Sequence, residues 1–162
     1  MVITVSDGCF RGVREDMSGP AVADLLEEAG IGAIATEIVP DEVEVITSTL
    51  QRAAAIAELV VTTGGTGLAV RDVTPEATRV VCERLVEGLA ERMRTEGAKQ
   101  TPLAALSRGI CGTVGQTLIV NLPGSTLGAT TSLRAILSLL PHALDLLAGK
   151  TSNHPVTGAQ VE

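Results

Sequence analysis

Apolar positions along this chain fall into two kinds of block that take turns. Apolar-rich stretches at residues 2–5, 34–39 and 59–61 read as strands, and the last, a continuous run, suits a short strand buried on both faces of a parallel sheet. Between them the apolar residues spread to helical spacing. Pro20 opens one such segment, with Val22, Leu25, Leu26 and Ala29 on one face and Gly30 as its stop. Pro40 to Glu44 open the next: Asp41 reads as the cap of a capping box closed by Glu44, and Val43, Ile46, Leu50, Ala53 and Ala57 form the buried stripe. Thr74 can cap a third, with Pro75 at its first position and Glu76 in the first turn, where its charge meets the helix dipole favourably. That pattern runs through Val80, Val81 and Leu85, breaks at Gly88, and resumes with Leu89, Met93 and Ala98. Pro102 starts a short turn through Leu103 and Leu106. Residues 110–114 and 117–120, joined by Gly115-Gln116, predict an antiparallel hairpin. Ser125 then caps a long helix carrying Leu127, Thr131, Arg134 and Leu137, broken at Pro141 and ended at Gly149.

Strands alternating with helices predict an α/β fold: a three-layer α/β/α sandwich around a mostly parallel, mixed central sheet. Residues 1–149 read as a single domain and 150–162 as a loose tail without period. In such sheets ligands lie beyond the carboxyl ends of the strands. Four turns have that position here: Ser6-Asp7, Pro40-Asp41, the stretch from Thr63 to Asp72, and Asn121 to Ser125.

Composition narrows the function. Apolar residues make up 45% of the chain but aromatics only 1%, Phe10 alone, so the core must be aliphatic. A net charge of −7 and the lack of stacking platforms argue against nucleic-acid partners. No leader peptide is read, and no apolar run approaches the ~20 residues of a membrane span. Cys9, Cys82 and Cys111 are widely spaced, which suits a reducing cytoplasm. Cys82 falls in a helical apolar pattern and reads as core. Cys9 has no base near it in sequence to make it a nucleophile.

The chemistry concentrates in residues 60–76. A strand runs into Thr62-Thr63-Gly64-Gly65-Thr66-Gly67, followed by Arg71-Asp72 and the helix start at Thr74. Strand, glycine loop, acid and helix N-terminus together can hold phosphate, with a carboxylate at hand for a metal ion. A tight turn would read the same, and the stretch is neither a P-loop nor G-x-G-x-x-G.

Val5-Ser6-Asp7, Gly19-Pro20, Val39-Pro40-Asp41-Glu42, the Thr62 to Glu76 run, Leu106-Ser107-Arg108-Gly109 and Asn121-Leu122-Pro123-Gly124-Ser125 occur in this order. In this the chain resembles the molybdenum cofactor biosynthesis family, in its stand-alone Mog/MoaB branch, over about residues 2–148. The resemblance implies a molybdopterin adenylyltransferase, which moves AMP from Mg-ATP to the terminal phosphate of molybdopterin and releases pyrophosphate. It also implies a homotrimer or a hexamer, and a hand-over of product to a molybdopterin molybdotransferase. The family's two activity-linked acids match Asp41 and Asp72, here assigned to Mg²⁺. Its nucleotide and pterin contacts match Ser6, Asp7, Thr63, Gly64, Gly65, Thr66, Gly67, Arg71, Thr74, Glu76, Ser107, Arg108, Asn121, Pro123, Gly124 and Ser125. The chain departs from relatives in its short start and in Val70, where proline or arginine is common. Ser152 to Pro155 resemble a tail segment of relatives. Two other readings stay open: a molybdopterin carrier or scaffold without transfer activity, and a structural oligomer with an empty loop.

Overall fold

The computed structural model describes residues 1–32 and 34–150; of the expected tail at 150–162 all but Lys150, and so Ser152 to Pro155, lies outside them. Six strands form one sheet in the order β2-β1-β3-β6-β5-β4. They are β1 (Val2–Val5), β2 (Thr36–Val39), β3 (Leu59–Thr63), β4 (Arg84–Leu85), β5 (Cys111–Val114) and β6 (Thr117–Leu122). Strands β2, β1, β3 and β6 are mutually parallel, while β5 runs against both of its neighbours. The helices are α1 (Asp7–Phe10), α2 (Ser18–Glu28), α3 (Val43–Ala54), α4 (Thr74–Val81), α5 (Glu87–Ala98), α6 (Thr126–Ile136) and α7 (Leu140–Leu147).

Successive strand residues point to opposite faces, and the core divides accordingly. Val2, Val61, Leu118 and Val120 pack with Leu26 of α2, Met93 of α5, Leu133 of α6 and Leu140 of α7. Ile3, Val60 and Ile119 pack on the other side with Ile46 and Leu50 of α3 and Ala77 of α4. Helices thus cover both faces of a mixed sheet, the three-layer architecture expected from the alternation.

Several local expectations are corrected. Asp41 does not cap α3: Glu42 holds that position, no side chain caps it, and no capping box with Glu44 forms, because Asp41 turns toward Asp7 instead. Thr74 lies inside α4, after Val73, and its hydroxyl donates to Gly64 O at 2.9 Å. Helix α2 begins at Ser18, two residues before Pro20, where Asp16 Oδ1 accepts from the Ser18 and Gly19 amides. Leu85 forms β4 rather than a helical turn, and Gly88 sits in the first turn of α5. Val80 and Leu127 are exposed. Cys82 ends α4 and is only partly buried. Strand β2 starts at Thr36, not 34, and β6 runs on through Asn121 and Leu122. The long helix gives way to a 3₁₀ turn (Leu137–Leu139) before Pro141, which sits in the first turn of α7. The hairpin, its Gly115 at φ +53°, the Pro102 turn and the Ser125 cap all form as expected.

Candidate functional site

The chain moves from β1 outward to β2 on one side and, through α3, to β3 on the other. The reversal opens a crevice beyond the carboxyl ends of β1 and β3, the usual ligand position in an open α/β sheet. A cleft of about 1010 Å³ occupies it. Ser6 and Asp41 reach it from the turns after β1 and β2. Thr63 to Gly67 and Asp72 line it from the loop after β3. Pro123, Gly124 and Ser125 line it from the turn after β6, with Asn121 and Ser107 beside them. It continues between α5, the 3₁₀ turn Pro102–Leu106 and α6, past Met93, Gly97, Leu103 and Leu127, a stretch that sequence reasoning did not assign to the site.

The loop after β3 is built from exchanges that force its shape. Gly64 N donates to Leu122 O, Thr74 N donates to Gly65 O, and Thr63 Oγ1 donates to Pro123 O at 2.8 Å. Gly64 and Gly65 have φ of +104° and +62°, values a side chain rarely adopts. A Cβ on Gly64 would run into the Val5 carbonyl, and one on Gly65 into the Thr74 hydroxyl and Asp41. These bonds leave the Gly65, Thr66 and Gly67 amides donating to no protein acceptor among the described residues.

Two carboxylates flank these amides. A Cβ placed on Gly65 would lie 3.2 Å from Asp41 Oδ1, and one on Gly67 2.8 Å from Asp72 Oδ2. Asp41 Oδ2 accepts from Asp7 N at 2.7 Å and Asp72 Oδ2 from Ala69 N at 2.7 Å. Each acid therefore keeps Oδ1 uncommitted among the described residues. Burial pushes the Asp41 carboxyl above its ordinary range; the Asp7 amide opposes this, and the Asp7 and Asp72 charges add to it. No cluster of three metal-ligating side chains occurs among the described residues. The free Asp41 Oδ1 beside Gly65 and the Asp72 carboxylate beside Gly67 suit a hydrated divalent cation whose shell is completed by water and substrate phosphates, so this donor set fits Mg²⁺.

Five expected contact residues do not line the cleft: Asp7, Arg71, Thr74, Glu76 and Arg108. Arg108 donates from Nε to Gly67 O at 2.7 Å and from Nη2 to Asp72 O, and it pairs with Glu76. It holds the glycine loop from behind. Arg71 grips Asp7, whose carboxyl that guanidinium holds below its ordinary range. Asn121 is buried and donates to the Thr62 and Thr78 hydroxyls at 3.0 and 2.9 Å. The arginines lining the cleft are instead Arg14, which donates to Ser6 Oγ at 3.0 Å, and Arg94, which donates to Gly109 O at 3.1 Å. No carboxylate pairs with either among the described residues. Arg14 lies in the polar loop after β1, but nothing in the local sequence separates it from Arg11, which pairs with Asp7 instead.

Comparison with known proteins gives the same direction. The family described as "Probable molybdopterin binding domain" matches residues 1–142. A protein of Helicobacter pylori named molybdopterin adenylyltransferase is 40% identical, the match covering 91% of this chain and 86% of that one. The Drosophila melanogaster molybdenum cofactor synthesis protein cinnamon is 43% identical over 99% of this chain, which spans only 27% of cinnamon's length. The crystal structure of the molybdopterin biosynthesis enzyme MoaB from Thermus thermophilus superposes with a TM-score of 0.86 at 51% identity, covering 92% of this chain and 95% of that one. The glycine loop, the two acids and the strand-end cleft sit within the matched residues, and the chain belongs to the molybdenum cofactor biosynthesis family of molybdopterin-binding domains.

Proposed function

We propose that this protein is a molybdopterin adenylyltransferase, with ATP and molybdopterin as substrates. The observation that carries the reading is the row of bare amides at Gly65 to Gly67, with the free Oδ1 of Asp41 beside Gly65 and the Asp72 carboxylate beside Gly67. Two anions must meet in a protein of net charge −7; unit charges about 4 Å apart repel by roughly 4 kcal/mol at an effective dielectric of 20. The loop amides, the α6 N-terminus behind Ser125 and the Arg14 guanidinium supply the opposing partial and full charges. Bound Mg²⁺, on Asp41 and Asp72, would neutralise charge on the triphosphate and on the leaving pyrophosphate.

An oxygen of the pterin's terminal phosphate attacks the α-phosphorus of ATP, and the bond from that phosphorus to the bridging oxygen breaks toward pyrophosphate. The attacking phosphate is ionised near neutral pH, its second pKa being near 6, so no side chain needs to remove a proton. With no aromatic ring in the cleft, adenine and pterin are read by backbone groups and by aliphatic walls such as Met93 and Leu103. Residues 1–149 act as one binding unit, the protein assembles as a homotrimer or hexamer in the cytoplasm, and a molybdopterin molybdotransferase consumes the product. A pure carrier would have no use for two uncommitted carboxylate oxygens in the cleft. The reading is tested by incubating the purified protein with molybdopterin and Mg-ATP: equimolar adenylated pterin and pyrophosphate are expected, and pterin that binds but returns unchanged would leave the carrier reading standing.

A further inference from the structure

The turns after β1, β2 and β3 are tied together by three side chains, of which only Asp41 reaches the cleft. Asp7 N donates to Asp41 Oδ2 at 2.7 Å, and Asp41 N donates back to Asp7 Oδ1 at 3.3 Å. From the far side of the glycine loop, Arg71 donates to both Asp7 oxygens, at 2.9 Å to Oδ1 and 2.7 Å to Oδ2 from Nη2, with Nε at 3.1 Å from Oδ2. We propose that Asp7 and Arg71 are positioning residues: together they latch the glycine loop to the β1 turn and hold Asp41 with its free oxygen turned to Gly65, without touching substrate.

The geometry gives each member one task. The Asp7 amide occupies Asp41 Oδ2, which fixes the carboxylate's rotation and leaves Oδ1 beside Gly65. The Asp7 carboxylate takes the fork of Arg71, and two-pronged pairing fixes orientation as well as distance. The loop tip, Leu68 to Val70, is exposed, and its inner ties are local: Ala69 N to Asp72 Oδ2 and Asp72 N to Ala69 O. Arg108 grips the loop from behind. Arg71 is the tie that runs forward from the tip to β1, across 64 residues of sequence. The pair is exposed, and exposed ion pairs add little to global stability. A latch of this kind therefore shows in loop motion and catalysis, not in melting.

Both Asp7→Asn and Arg71→Gln cut the same link, since the substituted asparagine keeps its backbone amide for Asp41 Oδ2 and a side-chain oxygen for Asp41 N. Amide hydrogen exchange on the ligand-free protein is expected to speed up at least tenfold at Ala69, Asp72, Thr74 and Arg108, whose amides are hydrogen-bonded to the loop, in either variant, while Tm stays within about 2 °C of the parent. In the transfer assay, which rests on the function proposed above, each single variant is expected to lose tenfold or more in kcat with KM for ATP nearly unchanged, and the double variant no more than the worse single. Unchanged exchange, or losses that multiply in the double variant, would overturn the latch. A KM effect confined to Arg71→Gln would instead make Arg71 a direct phosphate contact and overturn it equally. Exchange is read without any turnover, so a wild-type protein that fails to transfer AMP sinks the functional reading while the exchange result still decides the latch.

Discussion

Asp41 shows what the site demands of a single residue. Its carboxyl is partly buried and faces two other carboxylates, so its pKa is raised. A raised acid favours folding at pH values below its unfolded pKa, near 3.9, and loses that contribution as pH rises through the folded value. At pH 7 the ionised group is therefore held against its preference. Asp41→Asn should melt no lower than the parent at pH 7, with any gain shrinking as the pH falls toward 4; a clear drop in Tm at pH 7 would mean that the charge stabilises the fold. The cysteines behave differently. Burial pushes the thiol of Cys82 up to about 11 and that of Cys111 up to about 12, and the thiolate is the reactive form. Iodoacetamide at pH 7.5 on the native protein should leave both unlabelled, as peptide mass spectrometry can check. The type of Asp41 and Asp72 was readable from their motif, but not their partners. Asp41 looked like a cap because local spacing allowed it, whereas its actual partner is 34 residues away. For the same reason Arg71 and Arg108 looked available for phosphate, and each is instead engaged by a carboxylate.

At the scale of elements, the loop after β3 and the end of β6 hold each other in shape. Asn121 bridges the Thr62 hydroxyl on β3 and the Thr78 hydroxyl on α4, and its Oδ1 accepts from Ile110 N. Asn121→Ala strands these groups in a dry interior, at a cost of about 2 kcal/mol. That corresponds to a fall of several degrees in Tm for a chain of this size, and it should appear with or without ATP. Gly64→Ala is the harsher change, because its Cβ would meet the Val5 carbonyl and the φ is positive. It should lower soluble expression or Tm before any effect on ATP affinity can be read. Gly65→Ala likewise strains Thr74 and Asp41, so it reports on loop shape rather than on a phosphate cradle. Strand β3 and the hairpin were legible because the continuous apolar run at 59–61 and the two-residue Gly-Gln link carry signals of their own, whereas the polar Thr36 and Glu37 blurred the start of β2. Strand β4 was not, since two residues have no period and Leu85 continued the helical spacing of α4.

For the molecule as a whole, strand order does the assembling. Four parallel strands end on one edge, and the reversal of strand order at β1 leaves a crevice there that the turns after all four can reach together. On the proposed reading, peptide amides, a helix terminus and the guanidinium groups of Arg14 and Arg94 offset at this edge the charge of two phosphate compounds and of the Glu15, Asp16, Asp41 and Asp72 carboxylates that also line the cleft. The central claim is that Asp72 acts on the substrates and not merely on the loop that carries it. The most direct measurement is the yield of adenylated molybdopterin from Mg-ATP with the parent protein and with Asp72→Asn, with thermal melting recorded on both. Asparagine keeps an oxygen for Ala69 N, so the two should melt within about 2 °C of each other while transfer falls by at least two orders of magnitude. Transfer by Asp72→Asn at the parent rate would contradict the account.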